Sequence, residues 1–180
     1  MLDAGFQKIV VFTATGEFGR VILGGTGQGP GELTRPRSIA VDPSGNLWVF
    51  DQVQYRATRF DSSGKVLATF SIPESRVLDV LPLEGRLYAA RIVRDSSPGV
   101  AILDTLGQTV DALFSPTAQD LELIGNGLAG AIGSTPKGTL VYAHATPGRW
   151  SELTDGSVSE PKGTALFPDA PPQTWTDSLR

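Results

Sequence analysis

Cysteine is absent from this chain of 180 residues. That excludes a disulfide framework, a thiolate metal site and a cysteine nucleophile together. Histidine occurs once, at His144, so no second imidazole can share a metal ion with it. Asparagine is scarce, and both Asn46 and Asn126 stand beside glycine in turn contexts. No apolar run reaches the roughly 18 residues of a membrane span. The first residues, Met-Leu-Asp-Ala-Gly-Phe-Gln-Lys, lack the basic-then-apolar order of a signal peptide.

Glycine and proline are plentiful instead, at 21 and 13. Many short strands need many turns, and a hydrophobic content of 40% suffices for a packed core. The net charge of −4 and pI near 4.9 argue against non-specific nucleic-acid binding. Charge is nevertheless uneven: residues 35–94 carry a net +3 and residues 95–180 a net −6.

Residues 37–70 organise the reading. Arg37–Val41, Leu47–Phe50, Tyr55–Phe60 and Lys65–Phe70 each read as a strand, separated by turns at Asp42-Pro43-Ser44-Gly45 and Asp61-Ser62-Ser63-Gly64. Four antiparallel strands in so short a stretch make one blade of a β-propeller. Residues 2–22 repeat its second half at an offset of 48, Asp3 matching Asp51 and Gly16 matching Gly64. A third unit at 77–114 aligns Gly85–Ala90 with Gly45–Phe50, with three residues inserted near Arg94–Gly99. A fourth, at 120–158, is carried by Lys137–His144, with Leu121–Ile124 as an extra edge strand. Residues 159–180 form a proline-rich tail.

The expected fold is therefore all-β: a partial propeller over 1–158, an incomplete or open ring of about three to four blades of four antiparallel strands. Three arrangements stay open. The chain is a piece of a longer propeller beginning in mid-blade, an open array closed by a second copy, or a degenerate small ring. An open array leaves an apolar blade face bare, which implies self-association through that face.

The stretch Gly24-Gly25-Thr26-Gly27-Gln28-Gly29-Pro30-Gly31-Glu32-Leu33 lacks the Gly-Lys-Ser/Thr and following helix of a phosphate loop. It reads as a connector between an outer strand and the next inner one. Together with Ile39-Ala40-Val41-Asp42, Gly45–Asp51 and the turn at Ser62-Ser63-Gly64, it resembles the NHL repeat of six-bladed propellers. Gln52, Val53 and Gln54 stand where that family usually has Asn and His. The resemblance implies ligand or partner contacts at rim loops, and an exported or periplasmic setting. Propeller lyases of similar architecture rely on histidines and a divalent metal, and gluconolactonase-like ones on a Glu/Asn/Asp site.

Strand polarity puts the start of strand one and the end of strand two on one rim. Arg35, Arg37, Asp51, Arg76, Arg91 and His144 fall there, an expected site for an anionic ligand or partner. The competing reading gives Asp51 to the backbone N–H groups of the next loop and leaves the arginines solvated. No Gly-x-Ser-x-Gly elbow accompanies His144, and neither a catalytic residue nor a metal or cofactor site is assigned. The reading is a non-catalytic module binding a protein or small molecule. Its rival is part of a metal-dependent lyase or lactonase whose ligands lie largely outside this chain.

Overall fold

The computed structural model describes residues 1–23, 25–73, 77–92, 99–104, 106–114, 130–135, 137–144, 150–154 and 157–158. Their regular structure is all strand, in four separate antiparallel sheets. The first holds β1 (Leu2–Asp3), β2 (Lys8–Phe12) and β3 (Phe18–Leu23). The second is β4 (Pro36–Val41), β5 (Leu47–Asp51), β6 (Arg56–Phe60) and β7 (Val66–Ser71). The third is β8 (Val77–Leu83), β9 (Arg86–Arg91), β10 (Val100–Leu103) and β11 (Thr109–Phe114). The fourth is β12 (Gly130–Ser134), β13 (Leu140–His144), β14 (Trp150–Thr154) and β15 (Ser157–Val158). Each sheet keeps sequence order, and β4, β8 and β12 lie side by side as inner strands. This is the propeller arrangement. No helix among the described residues is long and apolar enough to cross a membrane.

The first sheet has one strand more than the two that its repeat predicts. β1 pairs Leu2 with Ile9 and Asp3 with Lys8, as the end of β5 pairs Asp51 with Arg56. Leu121–Ile124 and the tail lie outside the described residues.

One turn recurs and explains why the strands stop where they do. In Asp42–Gly45, Asp61–Gly64 and Asp104–Gly107 the aspartate carbonyl accepts the glycine N–H, at 2.9, 3.0 and 3.0 Å. The same aspartates' Oδ1 atoms accept N–H groups two and four residues on. Thr13 and Thr135 take the aspartate's place in the first and fourth sheets, with Gly16 and Gly138 closing the turn. The last position needs a left-handed backbone, which glycine adopts at no steric cost. At Gly64 φ is +96°, and a Cβ there would stand 2.7 Å from Ile22 Cγ2 of the neighbouring sheet.

Packing follows from the two-residue alternation of a strand. In β9, Leu87 and Ala89 face the second sheet, whereas Tyr88 and Ala90 face the fourth. In β5, Trp48 and Phe50 face the third sheet and Val49 the first. β5, β9 and β10 are therefore buried along nearly their whole length, on both faces, whereas the outer strand β7 alternates half-buried and exposed positions. Trp48, 8% exposed, packs between adjacent sheets as its place on strand two predicts.

Candidate functional site

The register sets the expected rim. Pro36 pairs with Asp51, Val77 with Arg91 and Gly130 with His144, so these residues sit at corresponding ends of three sheets. Arg35 and Arg37 are exposed there. Arg76 lies outside the described residues, as does the His144 side chain. Arg91 is 8% exposed, and its backbone N–H donates to the Gly99 carbonyl.

Asp51 is 1% exposed, and both of its oxygens are occupied. Oδ2 accepts the N–H groups of Thr34 (2.6 Å) and Arg35 (2.9 Å). Oδ1 accepts those of Val53 and Gln54, each at 3.0 Å. Asp3 repeats the second pair on Gly5 and Phe6. The carboxylate therefore ties the loop entering β4 to the loop leaving β5.

Gln54 and Arg56 complete that tie, a role that went unread in the sequence. The Arg56 guanidinium donates to the carbonyls of Gln28, Gly29 and Glu32. Gln54 Nε2 donates to the carbonyl of Gly27, at 2.5 Å, and to Thr34 Oγ1, at 2.7 Å. Glu32 Oε2 accepts the Gly29 N–H at 2.7 Å. The glycine-rich stretch is thus held as a closed connector by side chains of the blade that it enters. The signal available was Gln54's departure from the NHL pattern.

A second feature lies at the opposite end of the blades. Between the second and third sheets a cleft of about 880 Å³ opens beside the turns at Pro43 and Gly85. Trp48, Phe70, Leu83 and Leu103 give it apolar walls, and Asp42, Arg59, Glu84, Arg86, Asp104 and Asp111 line it with charge. Trp48 and Phe70 stack at 5.0 Å between ring centroids, 21° from parallel. The Trp48 indole Nε1–H donates to Asp42 Oδ2 at 3.1 Å. Arg59 Nη2 reaches the same oxygen at 2.9 Å, and its guanidinium lies 5.7 Å from the Trp48 ring centroid. Burial raises the Asp42 pKa, but the Asn46 and Trp48 hydrogen bonds and the Arg59 charge outweigh it and bring the carboxyl to about 2. The indole, the carboxylate and the guanidinium fix one another. No sequence signal had joined these residues, which come from two strands and a turn.

On the inner strands, Asp79 Oδ2 accepts the Ile132 N–H at 3.1 Å, and Ser38 Oγ accepts the Val80 N–H at 3.2 Å. Burial raises the Asp79 pKa, against the hydrogen bonds from Ile132, Ser38 and Val80. This pair stitches three successive inner strands. Among the described residues, no group of three or more His, Asp or Glu side chains is placed to hold a metal ion.

Successive four-stranded blades packed face to face define a β-propeller. The chain belongs to the family DUF5128, 6-bladed beta-propeller, whose model matches residues 1–97. No curated protein matches the chain. Among solved structures it is similar to a Bacteroides fragilis protein provisionally assigned as exported, with 19% identity and a TM-score of 0.67, over 89% of this chain and 46% of that one. It is also similar to virginiamycin B lyase from Staphylococcus aureus, with 16% identity and a TM-score of 0.55, over 92% of this chain and 51% of the lyase. A Bacteroides vulgatus member of the DUF4221 family matches with 14% identity and a TM-score of 0.57, over 87% of this chain and 51% of that one. The chain spans about half the length of these proteins. At such identities the likeness is one of fold.

Proposed function

We propose that this chain forms part of an NHL-like, non-catalytic propeller, and that the cleft between its second and third blades is a ligand-binding surface. The observation that carries the reading is the fixed group at the cleft wall. Trp48 is held by Phe70 and Asp42, and Asp42 by Arg59, so the wall is fixed by contacts within the second blade. A mostly apolar cleft of several hundred Å³ with a few placed polar groups is the usual form of a small-molecule site. Asp51, the acidic member of the basic rim, supports the same choice, because its oxygens serve the backbone.

The test is a fragment titration followed by the Trp48 indole N–H resonance. Saturable shifts are expected there and at Leu83 and Val110. Val110→Trp, at an exposed position of the cleft wall, should abolish them. Fragments that move other resonances and leave Trp48 unmoved would overturn the reading. The likeness to virginiamycin B lyase favours a second reading, part of a metal-dependent lyase or lactonase. Chelator-sensitive turnover by the full-length protein would put that reading first.

A further inference from the structure

Resting on the cleft as the binding surface, we propose that it selects small organic cations, molecules with an apolar body and one ammonium or guanidinium group. Its size suits a drug-sized ligand. Its charge decides the sign. Asp42, Glu84, Asp104 and Asp111 face two basic residues, Arg59 and Arg86. Arg59 is already neutralised by Asp42 at 2.9 Å. Arg86 has contacts of its own, and Asp104 Oδ1 is taken up by the Leu106 and Gln108 N–H groups. Glu84 and Asp111 stand at the mouth, both exposed, with Asp111 Oδ1 accepting the Ala112 N–H at 2.8 Å. Two exposed carboxylates thus stand at the mouth with one exposed guanidinium, that of Arg86, and the local charge is negative. An incoming cation is drawn to the carboxylates and lays its apolar part against Phe70 and Leu83.

The backbone at Glu84 points the same way. Glu84 and Gly85 form the two-residue turn between β8 and β9, with φ of 50° and 75°. Such turns favour Asn, Asp or Gly at the first place, and a glutamate there carries strain. What the glutamate adds is a long carboxylate at the cleft mouth.

The experiment titrates the protein with 4-phenylbutylamine, 4-phenylbutanol and 4-phenylbutyrate up to about millimolar concentrations, read by the Trp48 indole resonance. The amine should bind about five-fold tighter than the alcohol, the sum of two rim ion pairs. The butyrate should bind more weakly than either. In the double variant Glu84→Gln/Asp111→Asn the amine should fall to the affinity of the alcohol, whose own binding is unchanged. Raising the salt should erase the preference in the same way. Equal binding of amine and alcohol, or a butyrate that binds best, overturns the charge selection and leaves the cleft as a ligand site. Binding of none of the three overturns the cleft reading itself.

Discussion

Replacing Asp51 by Ala separates a structural carboxylate from a ligand-binding one. Four backbone N–H groups converge on this side chain, which is 1% exposed. A hydrogen bond to a charged group contributes about 1.5–3 kcal/mol, so four independent ones would total roughly 6–12 kcal/mol. Two features of the site reduce that figure. Arg35 and Val53 are exposed, and water can take over their N–H groups, whereas those of Thr34 and Gln54 are half-buried and keep their desolvation penalty. The four bonds also share one acceptor group and are not additive. The expected loss is about 3–4 kcal/mol, a large part of the roughly 5–15 kcal/mol that holds most domains. Asp51→Asn keeps one acceptor oxygen but turns an NH₂ toward the other pair of donors, and should lose about 2 kcal/mol. Urea unfolding should show the midpoint falling in the order wild type, Asn, Ala, with unchanged slope. Arg37→Glu, on the same rim but exposed, should stay within about 0.5 kcal/mol of wild type. An Asp51→Ala protein as stable as wild type would refute the tie between the two loops and return Asp51 to the rim as a free ligand.

Two further perturbations test the packing between blades. Trp48→Ala should cost about 3–5 kcal/mol in the same assay, because the indole fills the space between the second and third sheets; melting like wild type would contradict that packing. Asp79→Asn should flatten the pH dependence of stability. Burial lifts the Asp79 pKa above its ordinary 3.8, so the folded state binds the proton more tightly. Its contribution is then full below the unfolded pKa and is lost as pH rises through the folded one. Asparagine keeps the acceptor for the Ile132 N–H and cannot ionise. The variant should gain on wild type as pH rises above about 4, and a variant that instead falls behind as pH rises would show the carboxylate to be stabilising when charged.

The fold was legible because blade structure is written at short range. A turn such as Asp61-Ser62-Ser63-Gly64 states its own conformation through an aspartate that bonds the next N–H groups and a glycine at φ +96°. The strands between such turns are bounded by them, so Lys8–Phe12 appears where the repeat puts it. Rim placement followed from strand polarity, and the pairing of Pro36 with Asp51 agrees with it. What each rim residue does was not legible, since that depends on contacts far apart in sequence. Gln54 reaches Gly27, and Arg56 reaches Gln28, across more than twenty residues. The cleft was hidden for the same reason, because Trp48 and Phe70 of the second sheet meet Leu83 and Leu103 of the third only when the sheets stack.

The two ends of the second blade differ in how they use polar side chains, and this difference bears on function. At the loop end, Asp51, Gln54 and Arg56 are spent on backbone groups of the connector. That end is locked, and its exposed arginines flank a surface on which the Asp51 carboxylate is occupied. At the turn end, Asp42 serves the backbone of its own turn through Oδ1, while Oδ2, besides accepting from Asn46 Nδ2, holds an indole and a guanidinium at the wall of an open cleft. A carboxylate that only closed a turn would not need Oδ2, as Asp61 and Asp104 show by making their turn bonds through Oδ1. The second and third blades thus combine a turn that recurs in all four sheets with a wall built on Asp42 Oδ2. The recurrent turn serves the scaffold, and the wall that Oδ2 adds to it is what the proposed binding function rests on.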